Sequence, residues 1–181
     1  MPSLFRTVVA TLALIATSFA APAQSQERVL LPGKAAGFDG VISQCVSFTR
    51  LKFANGMCDD LAKSVAALSK AYGLGHHHLG RAEWGFGSDE YLPVPGDTGL
   101  NTPVHLTFYI RATGNPVSAF VWTSLYEPQD AASGARPGRL VLWEDSGIGA
   151  GGKKTISGGL SAGLAKKLEP VFQVLGAQRK Q

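Results

Sequence analysis

The chain has 181 residues, 45% of them apolar and 17% charged, with a formal net charge of +4. That is enough for one globular domain with its own core and too little for two. Its 22 Gly and 10 Pro follow no repeating period, which excludes collagen-like and solenoid architectures, and 2 Cys can fill neither a disulfide-dense mini-scaffold nor a four-cysteine zinc site.

Residues 1–23 read as a secretory signal. Arg6 is their only charge, the stretch from Thr7 to Ala20 is apolar or small, and Ala21-Pro22-Ala23 offers a small-x-small cleavage pattern. The apolar run is too short and too rich in Ala and Thr for a permanent membrane span, which needs about 20 apolar residues. The expectation is a periplasmic or secreted protein with no transmembrane segment once the signal is removed. A flexible leader is expected over 24–40, where Pro32, Gly33, Gly37 and Gly40 interrupt any pattern. In an oxidising compartment Cys45 and Cys58 are expected to pair as a disulfide. A redox-active pair would more naturally be spaced C-x-x-C.

Val46, Phe48 and Leu51 with interleaved polar residues predict a strand within 41–53, and Asn55-Gly56 a turn. Leu61, Val65, Leu68 and Tyr72 recur at helical steps and predict an amphipathic helix over 57–72, with Asp59 and Asp60 in its first turn and Gly73 ending it. A strand is expected over 79–86 and a long loop over 85–103. Val104, Leu106, Phe108 and Ile110 then alternate with polar positions, giving a strand over 104–111. Turn residues Thr113-Gly114-Asn115-Pro116 join it to a second strand over 117–126. A short strand follows over 139–145. Leu160, Leu164, Leu168, Phe172 and Leu175 outline a second helix, which Pro170 is expected to kink or divide. This order gives an α+β fold: a single domain over 41–176, with an antiparallel or mixed sheet of four to five strands, two amphipathic helices packed on one face, and a basic tail over 177–181.

Four features bear on chemistry. If the run His76-His77-His78 is extended, His76 and His78 point the same way and can share a zinc, copper or nickel ion, with His105 a further ligand if the chain folds back. A solvated loop needs no metal, and the run lacks the helical H-E-x-x-H pattern. Gly147, Gly152 and Lys153 match G-x-x-x-x-G-K, but Lys154 stands where a phosphate-binding loop needs Ser or Thr. What survives is an anion- or partner-binding region made of Lys153, Lys154, Lys166 and Lys167, within a segment 147–181 whose six basic residues face Glu169 alone. Gly159-Leu160-Ser161-Ala162-Gly163 is a literal G-x-S-x-G, yet no Asp or His follows Ser161, so it is better read as a helix N-cap than as a nucleophile. Lastly, Trp84, Tyr109, Trp122 and Trp143 on neighbouring strands would form an aromatic platform if they share an exposed face, and core if they do not.

These motifs single out no known family. The reading that follows is an exported, non-enzymatic accessory or binding protein holding a partner through the sheet face, the long loop or the basic C-terminal region. The partner would be an envelope protein or an anionic envelope component rather than nucleic acid. The alternatives are a metal-binding protein or metalloenzyme centred on the histidine run, and a small hydrolase. Apart from that metal, no cofactor is expected.

Overall fold

The computed structural model describes residues 29–49, 51–83, 94–114, 117–129 and 138–179. Within them the chain forms β1 (Gly40–Ser47), α1 (Lys52–Ala71), β2 (Gly75–Glu83), β3 (Pro103–Gly114), β4 (Val117–Gln129), β5 (Gly138–Ala150) and α2 (Lys153–Ala177). The strands lie in the order β2-β1-β3-β4-β5. β1 runs parallel to both β2 and β3, because α1 carries the chain back across the sheet between β1 and β2. β3, β4 and β5 form an antiparallel meander. The fold is the expected single α+β domain with a five-stranded mixed sheet and both helices on one face.

Period-two alternation assigns the faces. Val41 and Cys45 of β1 pair with Val104 and Phe108 of β3, and Leu106, Phe108 and Ile110 pair in turn with Leu125, Thr123 and Val121 of β4. These residues are buried beneath Met57, Leu61 and Val65 of α1 and Leu164, Leu168, Phe172 and Leu175 of α2. Full burial of side chains this size stabilises the fold by about 1.5–3 kcal/mol each. The Cys45–Cys58 disulfide, with Cα atoms 5.7 Å apart, ties the middle of the sheet to α1.

Several boundaries depart from the sequence expectation, each for a packing reason. α1 starts at Lys52, so Asn55-Gly56 is helical rather than a turn. Ala54, Met57 and Cys58 are buried against the sheet, and that burial outweighs the weak helix preference of Asn and Gly. β5 continues through Ala150, and Ser118, Ala119, Phe120 and Val121 of β4 pair with its last residues. Gly147 and Gly149 lie close under α2 there, where a Cβ would meet the Leu160 side chain at 3.2 and 3.4 Å, so at Gly147 Leu160 would have to give by a few tenths of an ångström. α2 begins at Lys153, eight residues before Ser161, and Pro170 does not divide it. Pro170 lies on the exposed side of α2, where its missing amide leaves no buried carbonyl unpaired.

The stretch expected to be loose is docked from Leu30 onward. Leu30, Ala35 and Phe38 are buried, and Pro32–Lys34 form one 3₁₀ turn. The Asp39 carboxylate accepts the main-chain N–H groups of Asn101 and Thr102 at 2.6 and 3.1 Å. Gly37 N–H donates to the Gln178 carbonyl at 3.2 Å.

Candidate functional site

The sheet face opposite the helices is laid out by register in four rows. Ile42, His105, Tyr126 and Val141 form the first; Gln44, Thr107, Ser124 and Glu144 the second; Val46, Tyr109, Trp122 and Ser146 the third; Arg111, Phe120 and Ile148 the fourth. Gln44, Thr107 and Ser124 make the second row a buried polar strip, with Glu144 half-buried at its end. Gln44 Nε2 donates to Thr107 Oγ1 at 3.2 Å, while Ser124 Oγ is buried without a hydrogen-bond partner. Aromatic groups stand on both sides of it. Tyr109 and Trp122 stack across strands with centroids 4.7 Å apart, and Phe48 lies 6.3 Å from Tyr109. On the other side His105 packs on Tyr126 at 5.4 Å. The Arg139 guanidinium sits 5.5 Å over the Tyr126 ring and donates to the Tyr109 hydroxyl at 3.0 Å. Burial holds the His105 imidazole below its ordinary proton affinity.

At the fourth row the face becomes openly apolar. Phe120 and Ile148 are directly paired across β4 and β5, 43% and 79% exposed. An isoleucine this exposed on a strand pays no part in the core, and beside an exposed Phe it forms a patch rather than a lone apolar residue.

The structure thus splits the expected aromatic platform. Tyr109 and Trp122 share the face away from the helices, Tyr109 buried there at 4% exposed and Trp122 half-buried, whereas Trp143 pairs with Leu125 on the helix side and is 4% exposed, a core residue. Trp84 lies outside the described residues. The stacked pair also turns its ring faces on each other, so it is a wall rather than a flat shelf.

The histidine run is divided as well. His76 and His78 lie on β2, paired with Val41 and Ser43 and therefore on the helix side. His105 pairs with Ile42 on the open face and cannot join them. What gathers His76 and His78 is a residue that the sequence reading did not single out: Ser43 Oγ lies 2.8 Å from His76 Nε2 and 2.9 Å from His78 Nδ1. Burial lowers the proton affinity of both rings, and for His76 the neighbouring His78 and His77 lower it further. For His78 a hydrogen bond with Ser43 and the Asp59 carboxylate on α1 act in the opposite sense.

The basic residues do not form one patch. Lys153 and Lys154 open α2 and are exposed, and Lys166 and Lys167 stand about three and a half turns further on, about 20 Å along the axis at 1.5 Å per residue. Lys167 is engaged with the Asp145 carboxylate at 2.8 Å, and Arg179 donates to the Gly73 carbonyl. The glycines of the G-x-x-x-x-G-K match do not form a phosphate-cradling loop, since Gly147 and Gly149 belong to β5. Ser161 is an interior residue of α2, 5% exposed, with its hydroxyl turned into the core and unpartnered. It is neither an N-cap nor an accessible nucleophile.

No protein-family model matches the chain, and no curated protein matches it. Among solved structures it is similar to two PelC dodecamers from Paraburkholderia phytofirmans, one a point variant crystallised in space group C2 and the other in space group P6. Both have a TM-score of 0.39, with 17% and 16% sequence identity over 81% of this chain and 91% of the other. So distant a likeness says nothing about what this chain binds.

Proposed function

We propose that the protein is an exported, non-enzymatic accessory protein that holds an envelope protein partner against the open face of its sheet. The observation that carries this reading is the Phe120–Ile148 pair, an exposed apolar patch on the face that neither helix covers. Burying such a patch against a partner removes it from water at about 25 cal/mol per Å². The disulfide supports export, because such bonds persist in oxidising compartments. No helix of the described residues is long and apolar enough to cross a membrane. The dispersed lysines make the basic region a weaker candidate for the contact than the sheet face.

The test is a double variant, Phe120→Ser/Ile148→Ser, compared with wild type for partners that co-purify after cross-linking in the envelope fraction. Both side chains are on the surface, so the fold is retained. The expected result is loss of the specific partner, each substitution weakening binding about tenfold as a central contact does. Retention of the same partner by the double variant would refute the assignment, and its loss on neutralising Lys153, Lys154 and Lys166 instead would move the site to α2.

A further inference from the structure

Parallel pairing of β1 with β2 builds a second arrangement, on the opposite side of the sheet from the proposed docking face. His76 and His78, two residues apart on an edge strand, present Nε2 and Nδ1 to the same atom, Ser43 Oγ, at 2.8 and 2.9 Å. We propose that these two imidazoles form a bidentate site for a divalent late first-row metal ion, copper(II) in preference to nickel(II) and zinc(II).

The geometry is close to what such an ion needs. Metal–imidazole bonds are about 2.0–2.1 Å, and the two nitrogens now converge from 2.8–2.9 Å on the Ser43 hydroxyl, so the ion takes that hydroxyl's place between the rings, Ser43 turning aside as the rings close in. The buried Ser43 hydroxyl has one proton, so it donates to one ring and accepts from the other. That arrangement holds both rings in place before an ion arrives, and the ring that donates to Ser43 moves its proton to its other nitrogen to present a lone pair to the ion. Burial disfavours the charged form of both imidazoles, and the neutral form is the one that ligates. His78 is exposed and β2 is a sheet edge, so an ion reaches the pair from solvent. His77, paired with Ile42, and His105 belong to the other face and are not ligands.

Among the described residues there is no group of three or more His, Cys, Asp or Glu side chains that could hold an ion together. The proposed site is therefore the two imidazoles, with water in the positions that no described residue fills. Copper(II) is favoured because it stands highest in the stability order for nitrogen ligands.

The experiment titrates tag-free full-length protein with CuCl₂, NiCl₂ and ZnCl₂ at pH 7.5, by calorimetry and by copper EPR. One equivalent of copper should bind with a two-nitrogen signature. His76→Gln and His78→Gln each keep a hydrogen-bonding group for Ser43 but should weaken binding at least about tenfold, the cost of losing one of two ligands. His77→Gln and His105→Gln should leave it unchanged. Undiminished binding by the His76→Gln/His78→Gln double variant would overturn the proposal, and so would an equal loss in His77→Gln, which would mean that a disordered histidine run, not the β2 geometry, holds the ion. Thermal melting of each variant checks that the fold is intact.

Discussion

Gly176 of α2 passes the main chain of α1 at Tyr72 so closely that a Cβ on it would lie 2.7 Å from the Tyr72 carbonyl oxygen. The partner is backbone and cannot swing away. Gly176→Ala should therefore lower stability by about 1–3 kcal/mol, the usual cost of overpacking. Gly163, also in α2, is exposed with open space around its Cβ position. Gly163→Ala should raise stability by roughly 0.5–1 kcal/mol through helix preference alone. Denaturant melts of the two variants check both signs at once.

The Cys45–Cys58 bridge closes a loop across a sequence separation of 13 and joins the sheet to α1. Reduction, or Cys45→Ala/Cys58→Ala, should cost about 3 kcal/mol on the chain-entropy argument. Melts with and without reductant measure it, and the double variant should show no further response to reductant.

Three histidines, His76, His78 and His105, bind protons less readily in the folded protein than at the ordinary value of 6.5, each chiefly because burial disfavours the charged ring. Below pH 6.5 the unfolded chain takes up protons that the folded chain resists. Their contribution to stability is then present above pH 6.5 and lost as pH falls through the lowered folded values. Chemical melts from pH 7.5 to 5 should show the midpoint falling with pH, and His105→Gln should reduce the slope.

Ser161 carries a buried hydroxyl without a partner inside α2. Replacing it by Ala removes an unsatisfied polar group and improves helix preference, so Ser161→Ala should be neutral or stabilising by up to about 1 kcal/mol. Any hydrolytic activity of the purified protein should survive the change; its loss would restore Ser161 as a nucleophile.

Local pattern carried much of the fold into view. The alternation of Val104, Leu106, Phe108 and Ile110 with polar neighbours marks β3, and the spacing of Leu61, Val65 and Leu68 marks α1, because period alone decides which side chains reach the core. Strand order and register were not legible, since parallel pairing of β1 with β2 and β3 depends on contacts distant in sequence. Sequence spacing therefore gives no sign of Ser43 between His76 and His78, nor that His105 lies across the sheet from them. Trp143 and Trp122 look alike in sequence, and only the β4–β5 register places one in the core and the other on the open face. Glycine misled at β5, where Gly147 and Gly149 suggest a loop but make room for Leu160.

The docking claim is tested most directly by placing a photo-crosslinking amino acid at position 148 on the sheet face away from the helices and, separately, at position 166 on the exposed side of α2, in the full 181-residue chain expressed in cells. The account predicts one discrete adduct from position 148 and none from position 166. Adducts from position 166 alone, or equal labelling from both, would contradict it.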